Sequence, residues 1–96
     1  MIPQHRVSTH PGRILLKEYL EPMNLSQKEL ADHLGVPIQR INEIIRGKRG
    51  ISSDTAWLLS KAFTTSPEFW LNLQAMYDLS SHRPIKEIKP LTRVGI

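Results

Sequence analysis

The chain of 96 residues is long enough for one small domain, and its formal net charge of +4 favours a polyanionic partner without identifying one. The absence of cysteine excludes disulfides, thiolate metal sites and cysteine nucleophiles, and no apolar run approaches the roughly 18 residues that a membrane span needs. Because the N-terminus also lacks the apolar core of a signal peptide, we expect a cytoplasmic protein with no membrane segment.

The N-terminal region predicts a loose arm followed by a helix. Residues 1–10 carry polar and basic side chains without periodicity. Pro11 opens the helix, because proline at a first helical position gives up no intrahelical hydrogen bond, and Glu21-Pro22 ends it. The apolar side of this helix is formed by Ile14, Leu15, Leu16, Tyr19 and Leu20.

Two short helices separated by a glycine-containing turn follow. Ser26 and Glu29 have the spacing of a capping box, which starts a helix at Gln27, and Gly35 stands where a left-handed residue ends it. The apolar stripe of this helix is Leu30, Ala31 and Leu34, and that of the next helix is Ile41, Ile44 and Ile45. This is the pattern of a DNA-binding helix-turn-helix, although an ordinary helical hairpin with a solvated outer face has it too.

A basic, glycine-punctuated loop follows the second helix of this pair. Its cations, with one arginine just upstream, lie where the phosphates of a bound duplex would pass, which favours DNA binding over a plain hairpin. These candidate phosphate contacts are Arg40, Arg46, Lys48 and Arg49. Four cations per protomer predict a salt slope of roughly −7 for a dimer, at about −0.9 per phosphate.

Two further helices are predicted before the C-terminus. The fourth is capped at Ser52-Ser53-Asp54 and runs to about Phe63, and its inward stripe is Ala56, Leu59, Ala62 and Phe63. The fifth is capped at Ser66-Pro67-Glu68 and runs to about Ser80. It is more apolar than one face requires, which favours a dimer helix over a purely internal one. We expect the dimer interface to contain Phe69, Trp70, Leu73, Met76 and Tyr77.

The remaining residues, 81–96, form a short basic tail in which Pro84 and Pro90 bracket the sequence IKEIK. Such a segment is open to DNA backbone contact, edge-strand pairing or protein binding, or it is a solvated tail. Trp57 lies opposite the inward stripe of the fourth helix. It either contacts a partner or packs against the terminal helix or the tail.

No constellation of residues predicts catalysis. The four histidines are far apart, lack metal-ligand spacing and are expected to be surface side chains; they are His5, His10, His33 and His82. The chain also has no glycine-rich phosphate loop and no nucleophile elbow. We expect no enzyme, no cofactor and no metal site.

Four stretches together resemble the HigA-type antitoxins, also called the virulence-associated protein I family, of the lambda-repressor-like helix-turn-helix class. They are HPGRIL at 10–15, LSQKELADHLGV at 25–36, RGKRGIS at 46–52 and SPEFWLNLQAMYDL at 66–79, the last being more specific than the helix-turn-helix itself. The resemblance implies an all-α, compact five-helix domain over residues 11–80. It also implies an antitoxin that binds palindromic operator DNA as a homodimer, represses its own operon and neutralises a HigB-like ribonuclease toxin.

The resemblance also assigns roles to single positions. The base readers would be Ile38, Gln39, Asn42 and Glu43, with the amides pairing with adenine and Ile38 meeting a thymine methyl. Glu43 either accepts from cytosine or bonds Arg40 or Arg46. Gln27 matches a position that commonly touches phosphate in this class.

Two positions depart from the class, and two other functions remain open. Pro37 replaces the usual Ser or Thr, so the second motif helix should lack a side-chain cap. Thr64 replaces a usual glycine, which predicts a different exit from the fourth helix. The alternatives to an antitoxin are a stand-alone dimeric transcriptional regulator without a toxin partner, and a protein-interaction module that has lost DNA binding.

Overall fold

The computed structural model describes residues 7–92, which fold into helices joined by short turns. The first helix, α1, begins as an α-helical turn at Pro11–Ile14 and continues without interruption as a π-helical segment at Leu15–Leu20. The other four are α2 at Gln27–Leu34, α3 at Ile38–Ile45, α4 at Ser53–Phe63 and α5 at Pro67–Ser81. The predicted all-α, five-helix fold is confirmed. Residues 1–6 of the predicted N-terminal arm, with His5, and residues 93–96 of the tail lie outside the described part.

Local side-chain chemistry sets the helix ends, as the sequence predicts. The hydroxyl of Ser26 accepts from the amide of Glu29 at 3.0 Å, and the Glu29 carboxylate accepts from the amide of Ser26 at 2.9 Å. Gly35 ends α2 in the left-handed conformation, with φ at +72°. Serine hydroxyls cap α4 and α5 in the same way, from Ser52 and Ser66.

The core is one cluster to which every helix contributes. Its fully buried members include Leu15, Leu30, Ile41, Leu59 and Trp70. The indole of Trp70 is 0% exposed, and its Nε1 donates to the hydroxyl of Thr65 at 2.8 Å. The expectation that Trp70 lies at the dimer interface is therefore wrong, because nothing of this side chain remains to contact a second copy.

The start of α1 packs directly on the end of α3. A Cβ atom on Gly12 would lie 1.8 Å from the carbonyl oxygen of Ile44, so only glycine permits this approach. The imidazole of His10 caps α1, with Nδ1 accepting from the amide of Gly12 at 2.9 Å, and its ring meets Tyr77 edge to face at 4.8 Å. His10 is thus a structural cap, and the expectation of an ordinary surface histidine is wrong for this position.

The exit from α4 is made by Thr64 in the left-handed conformation, with φ at +58°. The expectation of a different exit is wrong, since threonine here takes the backbone geometry that glycine would take. Its amide donates to the carbonyl of Ser60, as in an ordinary helix end. Within residues 7–92 no helix is long and apolar enough to cross a membrane.

Replacing Thr64 by glycine should stabilise the fold. A residue with a Cβ in the left-handed region costs roughly 1–2 kcal/mol, and the greater freedom of glycine in the unfolded chain cancels part of the gain. We expect Thr64→Gly to raise the free energy of unfolding by about 0.5–1 kcal/mol in urea denaturation. Thr64→Ala keeps the Cβ and should gain less; an equal gain from alanine would contradict the explanation by backbone strain.

Candidate nucleic-acid interface

The turn between α2 and α3 presents α3 on the surface of the domain. Ala31 is buried where the two helices meet, and its carbonyl accepts from the amide of Val36 at 3.0 Å, which closes the turn. Pro37 occupies the cap position of α3 without a side-chain hydrogen bond, as predicted from the sequence. Ile41 and Ile44 are fully buried and fix the rotation of α3 about its axis.

The four predicted base readers share the outer face of α3. At about 100° per residue they fall within an arc of roughly 140° on the side away from Ile41 and Ile44. Ile38 is 41% exposed, Gln39 is exposed, and Asn42 and Glu43 are partly buried. The structure thus brings these side chains onto one surface, but their contacts with bases stay a prediction.

The basic loop, residues 46–50, folds back against the end of α3. Gly47 makes the turn with φ at +73°, and the amides of Lys48 and Arg49 both donate to the carbonyl oxygen of Glu43, at 2.8 and 3.2 Å. The Glu43 carboxylate accepts from Nε of Arg49 at 2.8 Å and lies 2.8 Å from Nη2 of the same residue. Glu43 therefore pairs with Arg49, and neither of the arginines considered for it from the sequence is its partner.

A second ion pair takes up another of the predicted phosphate contacts. Nη1 of Arg40 donates to the Asp54 carboxylate at the start of α4, at 3.2 Å, and the Arg40 side chain is only 30% exposed. Arg46 and Lys48 are exposed and form no ion pair within residues 7–92. The four cations therefore divide into two that are partly neutralised and two that are open to an anion.

The remaining predicted phosphate contact, Gln27, lies at the start of α2, whereas the basic loop follows the end of α3. It is the first residue of α2, is partly buried, and lines a shallow depression with Glu21 and Asn24. Gln27 is thus part of the same motif as the loop, while its contact with a phosphate stays a prediction.

Two polar residues contact the basic loop on the side that faces the rest of the domain. Sequence patterns did not assign either of them to the site. Oε1 of Gln74 on α5 accepts from the amide of Ile51 at 2.8 Å, just beyond the loop. The ring of His10 stands beside Gly47, where a Cβ atom would lie 3.9 Å away. The sequence HPG at the start of α1 carried a signal for His10, because a histidine two positions before a helical amide can cap that helix. Nothing in the sequence marked Gln74.

Burial keeps the His10 ring in the state that capping needs. Desolvation lowers the pKa of His10 from its usual value, and the negative charge of Asp78 opposes this in part. The imidazole is therefore neutral at neutral pH, so Nδ1 carries a lone pair that accepts from the amide of Gly12.

The outer side of the domain carries apolar residues that its own core does not cover. On α5 Phe69, Met76 and Leu79 are exposed, while Leu73 and Tyr77 are partly buried. Trp57 on α4 is 57% exposed, so its packing against α5 or the tail is incomplete.

Among the described residues, no three His, Asp or Glu side chains are placed to share a metal ion.

Comparison with known proteins agrees with this geometry. A family model described as helix-turn-helix matches residues 16–70, which is more than half of the chain. Virulence-associated protein I of Dichelobacter nodosus is 53% identical over 70 residues, a match that spans 73% of this chain and 65% of that protein, just under two thirds.

Two solved structures add DNA to the comparison. The antitoxin HigA of Pseudomonas aeruginosa, solved with the higBA promoter, superposes with a TM-score of 0.76 at 43% identity, over 77% of this chain and 80% of that one. The antitoxin GraA in complex with its operator superposes with a TM-score of 0.83 at 35% identity, over 97% of this chain and 100% of that one. The chain therefore belongs to the helix-turn-helix family of DNA-binding proteins, and within it to the group of HigA-type antitoxins and virulence-associated proteins.

Proposed function

We propose that the protein is the antitoxin of a two-component toxin–antitoxin module and that it binds operator DNA as a homodimer to repress its own operon. The observation that carries the DNA half is the outer face of α3, which presents Ile38, Gln39 and Asn42. The loop after α3 carries two cations, Arg46 and Lys48, that form no ion pair within residues 7–92. A helix with an exposed outer face that carries amide side chains, followed by cations, suits the major groove. The operator-bound relatives support this assignment.

Base reading falls to the amide side chains. Gln39 and Asn42 each offer a donor and an acceptor, which match the two adenine groups in the major groove, and Ile38 suits a thymine methyl. The open cations Arg46 and Lys48, with Gln27 at the start of α2, are placed to hold phosphates. Phosphate contacts fix the register, whereas the amides select the sequence.

The dimer rests on the outer face of α5, which we define as Phe69, Met76 and Leu79. These positions follow heptad spacing, seven and three residues apart, so they lie along one seam. Leu73 and Tyr77, being partly buried, would border it. Two copies joined there by a two-fold axis would each offer an α3 to one half of a palindromic operator.

Removing both amide readers should abolish sequence selection while leaving general DNA affinity intact. We expect Gln39→Ala with Asn42→Ala to weaken operator binding by roughly 100-fold or more, because each amide–adenine pair is worth about 1–3 kcal/mol. Affinity for a scrambled duplex of equal length should not change. An electrophoretic mobility-shift assay measures the affinity for each duplex. An unchanged operator affinity would exclude the proposed reading face.

Lys48→Ala is the matched control for that measurement, since it should weaken both duplexes by the same factor. The salt dependence adds a second readout. With only two open cations per protomer, the slope of log K against log salt should be about −3.6 for a dimer, not the −7 expected from four, at about −0.9 per phosphate.

We propose that Glu43 positions Arg49 and does not read a base. Nε and Nη2 of Arg49 both lie 2.8 Å from Oε1 of Glu43, and this charge-assisted contact holds the guanidinium against α3. Glu43→Gln should therefore release a cation: the salt slope of a dimer should steepen by up to about −1.8, and affinity for scrambled DNA should rise. A base reader would give the opposite result, weaker operator binding with the slope unchanged. Asp54→Asn, which releases Arg40, serves as the parallel variant.

The toxin half of the proposal rests on family membership together with the exposed Trp57. An exposed tryptophan is a common centre of protein interfaces. We expect the product of the neighbouring gene, a HigB-like ribonuclease toxin, to co-purify with this chain. Trp57→Ala should weaken that complex without lowering the melting temperature, because the side chain is 57% exposed. Absence of a co-purifying neighbour would favour a stand-alone regulator.

A further inference from the structure

The segment after α5 carries an apolar edge that its own protomer leaves uncovered. We call residues 83–92 the C-terminal arm. Ile85 and Leu91 are fully exposed and Ile88 is 71% exposed, at a regular spacing of three residues. The prolines at 84 and 90 favour an extended backbone beside them, the chain bends at residues 85 and 86, and Lys86 and Lys89 are exposed among these apolar side chains. Exposed apolar side chains grouped in this way commonly mark a surface that a partner covers.

The arm extends away from its own helices. The protein measures 59 Å along its longest axis but only 26 and 22 Å along the others. A segment without helix or strand after α5 is consistent with this elongated shape.

The body of the protein has an open groove of matching chemistry. It lies between α2 and α4, holds about 350 Å³, and is lined by Met23, Leu25, Leu30, Ala62 and Phe63, with Glu29 and His33. The backbone hydrogen bond from Ser26 lowers the pKa of Glu29, so its carboxylate is ionised at neutral pH. A groove with an apolar floor and the Glu29 carboxylate at its rim complements an arm with exposed apolar side chains and two lysines.

A two-fold axis through α5 brings the arm of one copy to the groove of the other. If two α5 helices pack antiparallel, as their opposed dipoles favour, the end of each lies beside the start of the other. The start of α5, at Pro67, follows closely on Ala62 and Phe63 at the end of α4, and these two line the groove. An arm leaving α5 thus emerges next to the groove of the second copy.

We propose that the C-terminal arms are exchanged in the dimer, so that Ile85, Ile88 and Leu91 of each protomer fill the groove between α2 and α4 of its partner. Lys86 and Lys89 then lie on the side of the groove that carries the Glu29 carboxylate. The inference rests on the homodimer proposed above. It makes the arm part of the dimer interface and leaves the DNA-reading face free.

Single cysteines test the exchange directly, because the chain has none of its own. A chain with Ile88→Cys is mixed with a tagged chain with Met23→Cys, so that only a disulfide between protomers gives the mixed product. We expect it to form under mild oxidation much faster than with the control Ser53→Cys, which places the thiol at the start of α4, outside the groove lining. Met23 is 57% exposed, so its replacement should leave the fold intact.

The second measurement is the dimer dissociation constant by analytical ultracentrifugation. Replacing Ile85, Ile88 and Leu91 by serine should raise it roughly 100-fold or more, since both arms lose their buried side chains. These positions are exposed within the protomer, so the melting temperature extrapolated to the monomer should not fall.

Three results would overturn the exchange. They are cross-linking no faster than the Ser53 control, an unchanged dissociation constant in the serine variant, and weaker DNA binding by that variant with dimerisation intact, which would assign the arm to DNA. If the wild-type chain is a monomer that binds its operator, the proposed dimer itself fails. That outcome is distinguishable from failure of the exchange alone, in which the chain is a dimer whose dissociation constant does not depend on the arms.

Discussion

The close approach of α1 to the end of α3, which the absence of a side chain at Gly12 permits, is the constraint on which the orientation of α3 depends. With a Cβ only 1.8 Å from the carbonyl oxygen of Ile44, any other residue would push α1 away from the end of α3. The same place holds the His10 cap, the ring of Tyr77 and the turn at Gly47. The start of α1, the end of the recognition helix, the basic loop and α5 therefore meet at one point, and the orientation of α3 follows from their packing.

Two of the four cations in the motif form ion pairs, so fewer positive charges are open to DNA than the composition indicates. Arg49 is bound to Glu43 and Arg40 to Asp54, so the net field over the site is carried mainly by Arg46 and Lys48. An ordered loop loses less conformational entropy when it docks on DNA than a free one does. The two carboxylates thus lower the attraction to any polyanion while holding the arginines in place, which favours selectivity over general affinity.

What the sequence predicted well is what depends on neighbouring residues. Capping by Ser26 and Glu29, the left-handed Gly35 and the buried stripe of α3 all follow from spacings of a few positions, and the structure confirms them. Apart from the left-handed Thr64 and the local cap by His10, the errors concern partners brought together by the fold. The Arg40–Asp54 pair joins two helices, and the choice of Trp70 over Phe69 for burial depends on Thr65 and the ring of Tyr19, because α5 is too apolar for periodicity to select a face.

The α5 helix couples the two activities proposed for this protein. Its inner side anchors the basic loop, through Gln74 to the amide of Ile51 and through Tyr77 to His10, while its outer face is exposed and is the proposed dimer contact. A rigid helix of 15 residues transmits position over about 22 Å. In the proposed dimer α5 positions both α3 and the outer face of α5, so association would fix the spacing of the two α3 helices without a flexible joint. The half-site spacing of a palindromic operator would then be set by the packing of α5 and not by the loops.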